Sequence, residues 1–188
     1  MSGVLVLSLL LRPYSMGAEK PDATRFFALR ATLDDGAGNG WRREFHHKLP
    51  PFSVRDLKGR VWTLSDLHGR AVFLGAWATW CGPCREELPA LQKLFDRYRH
   101  DAKVLVLTLD FDQDEATARS YVERHASEFP VLSAHGFLTQ PVAMPTTWIV
   151  DRSGLVREET EGAGPAWFRE ATEWLDWLSR EPARGPLH

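Results

Sequence analysis

Apolar and polar positions follow three different rhythms along the chain, and each rhythm marks a different kind of element. Val4–Leu11 is an eight-residue apolar stretch, far short of the ~20 residues a membrane-spanning helix needs. Residues 19–49 then run at period two: Phe27, Leu29, Ala31 and Leu33 alternate with their neighbours. After the Gly-rich stretch Asp34–Gly40, Trp41, Arg43, Phe45, His47 and Leu49 alternate against Arg42, Glu44, His46 and Lys48. Two such runs around a turn-forming loop predict a β-hairpin. From Pro50 onward the rhythm is strand, turn, helix. Val61–Leu64 reads as a short strand and Ala71–Ala78 (AVFLGAWA) as a buried one. A helix over about 84–98 places Leu88, Leu91, Phe95 and Tyr98 on one face. Lys103–Leu109 is a second buried strand, and Asp112-Gln-Asp-Glu115 offers a capping box for a helix to about Ala126. Thr146–Val150 and Leu155–Thr160 flank the turn Asp151–Gly154 as a hairpin. A last helix from Ala166 to about Ser179 buries Trp167, Ala171, Trp174, Leu175 and Leu178. Strands alternating with helices and closing in a hairpin predict an α/β domain over 50–179, a mixed β-sheet flanked by helices, with a loose tail over 180–188.

Composition narrows the possibilities. With 44% apolar residues the chain is ordinary globular material rather than disordered. The 23 basic residues against 25 acidic, a net charge of −2, supply no general pull toward nucleic acid. Two cysteines permit at most one intramolecular disulfide, which excludes a disulfide-stapled scaffold. In the 1–18 segment, Ser15 and Gly17 give a small-x-small cleavage pattern before Ala18, yet no Lys or Arg precedes the apolar stretch. Two readings stay open there, an export signal or membrane tether and a plain apolar N-terminus.

The two cysteines lie three positions apart, as Cys81-Gly82-Pro83-Cys84, where a buried strand hands over to a helix. The unpaired N–H groups and positive dipole end of that helix point at Cys81, so its thiol pKa is expected below ~8.5. Pro83 suits a first turn because its missing N–H has no intrahelical partner to lose. Lowering the pKa from ~8.5 to ~7 raises the thiolate fraction at pH 7 from roughly 3% to about 50%. Nucleophilicity falls about fivefold over the same change, leaving a net gain of only about threefold. Access, orientation and a second thiol ready to resolve a mixed disulfide must supply the rest, and Cys84 one turn later is placed for that.

Other uses of the pair fit less well. A disulfide closing so short a loop contributes roughly 2 kcal/mol. A zinc site wants four ligands, and the sequence puts no histidine near the two thiols. His46 and His47 are strand neighbours that point to opposite faces. No metal or cofactor is expected. A peroxidase on the same fold would want Thr-x-x-Cys, and Ala78 stands three before Cys81.

The segment Trp77-Ala-Thr-Trp-Cys-Gly-Pro-Cys-Arg-Glu-Glu-Leu-Pro89 resembles the active-site stretch of TlpA/ResA-like thiol–disulfide oxidoreductases in the thioredoxin superfamily. The likeness runs from about Pro51 to Leu178 and includes Leu64–Gly69 and Met144–Asp151. It implies a thioredoxin-like fold, to which the 19–49 hairpin is an N-terminal extension. It also implies that Pro145 is a cis-proline facing the cysteines, with Met144 and Thr146 lining a substrate groove. Trp80, Gly82 and Pro83 complete that groove, while Trp77 reads as core. Thioredoxins proper carry an aspartate six residues before the first cysteine, and here Gly75 occupies that position. Glu87, six residues after Cys81, matches the acidic residue of the TlpA/ResA-like branch and would relay protons to and from Cys84; the competing reading is a solvated charge beside Glu86.

The expectation is therefore a disulfide reductase with Cys81 as nucleophile and Cys84 as resolving thiol. Its partners are a disulfide-bearing protein substrate and a reducing electron-donor protein, and the resemblance implies an extracytoplasmic, periplasmic setting, with a cytoplasmic one as the alternative. A second class remains open: a protein-binding or copper-handling module that uses the same groove and thiols.

Overall fold

The computed structural model describes residues 48–136, 143–162, 164 and 166–181, and the backbone of Arg42–Arg43. Its elements are β1 (Arg42–Arg43), β2 (Ser53–Arg55), β3 (Val61–Thr63), α1 (Leu64–Leu67), β4 (Ala71–Trp77) and α2 (Gly82–Tyr98). They continue as β5 (Val104–Asp110), α3 (Glu115–Arg124), β6 (Val131–Ser133), β7 (Thr146–Val150), β8 (Val156–Glu161) and α4 (Trp167–Arg180). Six strands form one sheet in the order β1-β8-β7-β4-β5-β6, with β4, β5 and β6 mutually parallel and β7, β8 and β1 antiparallel to their neighbours. This is the mixed sheet flanked by helices that the rhythm predicts.

All seven residues of β4 are buried, which explains its unbroken apolar run. Its side chains alternate between two cores. Phe73 and Trp77 join Leu88, Leu91 and Leu94 of α2, Ala118 of α3 and Trp174, Leu175 and Leu178 of α4. Val72, Leu74 and Ala76 meet Val54 and Trp62 of the β2–β3 ribbon, Leu67 of α1, and Leu132. The three long helices thus share one face, and the ribbon with its one-turn helix covers the other. The residues after Thr63 leave the expected strand because Thr63 caps α1: its N–H and hydroxyl donate to Asp66 Oδ2 at 2.8 and 2.7 Å.

One expectation changes. The start of α3 is Asp114, whose Oδ1 accepts the Ala116 N–H at 3.0 Å, not Asp112. Asp112 is buried and already bound to Thr79, so it is not free to cap. Arg42–Arg43 pairs with Thr160–Glu159 of β8 and extends the main sheet, followed by a bridge from Lys48 to Leu155. Residues 19–41 and 44–47 of the expected hairpin, and those of 1–18 and 182–188, lie outside the described residues. Among the described residues no helix is long and apolar enough to cross a membrane.

The end of α4 is locked to the β7–β8 turn by buried charge. Arg157 Nη1 lies 3.1 Å from Asp151 Oδ2 and 3.3 Å from Glu181 Oε2, while Arg152 donates to the carbonyls of Gly69 and Glu181. Burial alone would raise the Asp151 carboxyl, but the Ser153 hydroxyl and N–H, the Leu155 N–H and Arg157 outweigh it and hold it below the usual range. The stability linked to Asp151 is present above its unfolded pKa of ~4 and lost as pH falls through the lower folded value. Arg157→Leu removes the cation from that carboxylate, which keeps its Ser153 and Leu155 bonds, and is expected to cost about 3 kcal/mol at pH 7, seen as a Tm drop of about 10 °C in thermal unfolding. The drop should shrink as pH falls and Asp151 protonates.

Candidate redox site

Strand β4 delivers the site. Its last residue, Trp77, is core: the indole N–H donates to Thr108 Oγ1 at 3.2 Å, and the ring lies 5.7 Å from that of Tyr121. The chain turns at Thr79-Trp80, and Cys81 becomes the N-cap of α2 in extended conformation. Cys81 N–H donates to the Ala78 carbonyl at 3.2 Å, and the Cys81 carbonyl accepts from Arg85 N–H at 3.2 Å. Cys81 Sγ accepts the Cys84 N–H at 3.2 Å, so the sulfur occupies the place a Ser or Asp oxygen takes at an ordinary N-cap. Pro83 lies in the first helical turn, as its missing N–H suggests. The two sulfurs are joined, with S–S 2.02 Å and Cα–Cα 5.3 Å, so the site is in its oxidised form. Cys84 is sealed at 1% exposure and Cys81 stands at 6%, beside a Trp80 that is 65% exposed.

The second wall comes from the start of β7. The Met144–Pro145 peptide is cis, and Pro145 and Cys84 line one cleft together with Glu87, Thr147 and Trp167. Met144 is half-buried and packs against the helical core. Thr146 is turned inward at 1% exposure, its hydroxyl donating to the Ala143 carbonyl at 2.7 Å. Its side chain braces the cis-proline segment from within.

Glu87, one turn beyond Cys84, is half-buried, and burial pushes its carboxyl up to about 7. Glu86 beside it is exposed. Gly75 borders the same cleft, and a Cβ there would stand 2.8 Å from the Phe73 ring. That space is filled by an aromatic ring, so the acid of this cleft comes from the helix rather than from the strand.

Sequence reasoning missed a group on the other side of the turn. Asp112 accepts the Thr79 N–H at Oδ2 (3.0 Å) and the Thr79 hydroxyl at Oδ1 (2.9 Å). Asp110, at the end of β5, accepts the Asp112 N–H at 3.1 Å, and Phe111 N–H donates to the Trp77 carbonyl at 2.9 Å. Asp110 is raised to about 7, first by burial and then by repulsion from Asp112 and Glu115. The available signal was two carboxylates, Asp110 and Asp112, where a strand that is apolar but for Thr108 stops.

Residues 45–159 match the model of the AhpC/TSA family. The chain belongs to that family. Among its relatives, the thiol-disulfide oxidoreductase ResA of Bacillus thuringiensis subsp. konkukian is 31% identical over 125 residues, covering 64% of this chain and 72% of that protein. The thioredoxin-like protein YneN of Bacillus subtilis is 33% identical over 117 residues, 59% of this chain and 68% of that one. In structure, a secreted thiol-disulfide isomerase from Corynebacterium glutamicum superposes with a TM-score of 0.64 at 20% identity, over 78% of this chain and 95% of that one. The chain is thus a TlpA/ResA-like thiol–disulfide oxidoreductase of the thioredoxin superfamily, as the motif resemblance implies. AhpC/TSA membership leaves the local chemistry of the site to its own residues: Ala78, fully buried, stands three before Cys81.

Proposed function

We propose that this oxidoreductase works as a disulfide reductase, with Cys81 attacking and Cys84 resolving. The observation that carries this reading is Cys81 Sγ at the N-cap of α2, accepting the Cys84 N–H beside the exposed Trp80. In the reduced protein the Cys81 thiolate attacks one sulfur of a substrate disulfide. The substrate S–S bond breaks, its second sulfur leaves as a thiolate that takes a proton, and a mixed disulfide to Cys81 remains. Cys84 loses its proton and attacks Cys81 Sγ, which expels the other substrate sulfur and forms the Cys81–Cys84 bridge. Two electrons have then passed to the substrate, and a reducing electron-donor protein returns them. Trp80, Gly82, Pro83 and Met144 form the surface that meets the substrate, and Pro145 with Thr146 shapes its far wall.

Glu87 is the group that handles the Cys84 proton. Cys84 is buried where its thiolate is costly, and Glu87 shares its cleft with a carboxyl near pH 7 that both accepts and returns protons under neutral conditions. Magnitudes support this direction of electron flow. A helix terminus supplies up to ~2 kcal/mol, which lowers a thiol pKa by about 1.5 units. That suits a thioredoxin-like potential of ~−270 mV; a DsbA-like thiol at ~3.5 needs much more. The Asp112 carboxylate on the adjoining turn acts against a very acidic Cys81. We place the protein on the extracytoplasmic side on the strength of the resemblance.

The reductase reading predicts faster reduction of insulin by dithiothreitol in the presence of the protein, and loss of that gain in Cys81→Ser. Titration against a glutathione or dithiothreitol buffer should give a potential near −270 mV, and a value near −120 mV would make the protein an oxidase. Stoichiometric Cu(I) binding by an inactive wild type would replace both readings with the copper-handling one. For Glu87, the rate of the resolving step should rise with pH through about 7 as the carboxylate forms. Glu87→Gln should erase that inflection and slow the step about tenfold at pH 8. An unchanged profile removes Glu87 from the mechanism.

A further inference from the structure

We propose that Asp112 is a positioning residue for the redox turn, holding Thr79 so that Cys81 keeps its place at the N-cap after the disulfide opens. This rests on the dithiol reading above. In the oxidised form the turn that carries Cys81 is held from both ends: the disulfide ties Cys81 to α2, and the backbone bonds of Cys81 to Ala78 and of Phe111 to Trp77 tie it to the sheet. Reduction removes the covalent tie. Asp112 then supplies the two side-chain bonds that fix Thr79, two residues before the nucleophile.

Asp112 is itself fixed by the elements around it. Its N–H donates to Asp110 Oδ1, and His135 Nε2 lies 3.2 Å from its carbonyl oxygen. It is 6% exposed, on a chain segment between a strand and a helix that uses another aspartate for its cap. A buried carboxylate accepting an N–H and a hydroxyl across two loops is an expensive way to join them, unless the geometry of the turn matters. The titratable groups around it are Asp110 of β5, whose Oδ1 accepts its N–H, and His135 of the 3₁₀ turn after β6, with Glu115 of α3 acting on Asp110.

The clamp has a consequence that ordinary structural support lacks. A bond that merely stabilises the fold contributes equally to both redox forms and leaves the reduction potential alone. A bond needed more once the disulfide is gone stabilises the reduced form selectively, and its loss makes the potential more negative. The charge of Asp112 acts with the opposite sign: it disfavours the Cys81 thiolate, so removing charge alone raises the potential.

Three variants separate these effects. Asp112→Asn keeps an acceptor for the Thr79 N–H and a partner for its hydroxyl while removing the charge. Thr79→Val keeps the charge and cuts the hydroxyl bond. Asp112→Ala removes both. Each is equilibrated with dithiothreitol buffers, and insulin reduction gives kcat/KM. Thr79→Val is expected to shift the dithiol–disulfide equilibrium constant about tenfold toward the disulfide, a potential lower by about 30 mV. Its kcat/KM should fall on the order of tenfold. Asp112→Asn should keep near wild-type kcat/KM, with a potential unchanged or higher, and Asp112→Ala should fall below Asp112→Asn on both readouts. Wild-type potential and rate in Thr79→Val, or an Asp112→Ala that matches Asp112→Asn, overturns the clamp. An inactive wild type instead defeats the dithiol reading. Should Asp112→Ala not fold, Thr79→Val and Asp112→Asn decide the question by themselves.

Discussion

The bond from the Cys84 N–H to Cys81 Sγ organises this molecule. A helix N-terminus presents backbone N–H groups that nothing in the helix can satisfy, together with the positive end of its dipole. Most helices answer with a Ser, Thr, Asp or Asn oxygen. Here the answer is a sulfur, a weak acceptor as a thiol and a good one as a thiolate. The same donors that end the helix therefore favour the reactive form of the nucleophile. For that to hold, the helix must begin at Cys81, and the sheet must bring the chain there: the fully buried β4 ends four residues earlier, and the core on its helical face holds α2 against it.

Around that bond the site divides its labour by burial. Trp80 stands in solvent, Cys81 retains a sliver of exposure at 6% and Cys84 is sealed at 1%, an order that fits the proposed attack through Cys81. Behind Cys84 the cleft offers one carboxyl, Glu87, whose desolvation alone brings it to about 7. On the opposite side of the turn Asp112 holds Thr79, so the loop with the nucleophile is gripped from β5 as well as from its own strand. In the proposed mechanism α2 carries both the thiols and the proton carrier, and the loop after β5 carries the clamp.

Much of this was legible in the sequence, and for identifiable reasons. The buried strand Ala71–Trp77, the helix after it and the β7–β8 hairpin announce themselves because their apolar spacing reflects burial directly. Cys81, Cys84 and Pro83 could be placed because capping and proline rules are local. The cis state of Pro145 came only from the family resemblance, since local sequence favours trans. Asp112 was misread because a carboxylate three residues before Glu115 has the same signature whether it caps a helix or reaches another loop. Its partner, Thr79, is 33 positions away, a distance at which no periodicity speaks. Strands β2 and β6, three residues each, were too short to carry a pattern, whereas β3 was legible as the short strand at Val61.

If the start of α2 stabilises a thiolate on Cys81, the reduced protein must show it. The direct measurement is the rate of Cys81 alkylation by iodoacetamide against pH in the reduced protein, with the modified residue identified by mass spectrometry. A midpoint near 7 is expected, well below the ~8.5 of an ordinary thiol. A midpoint at or above ~8.5 would contradict it.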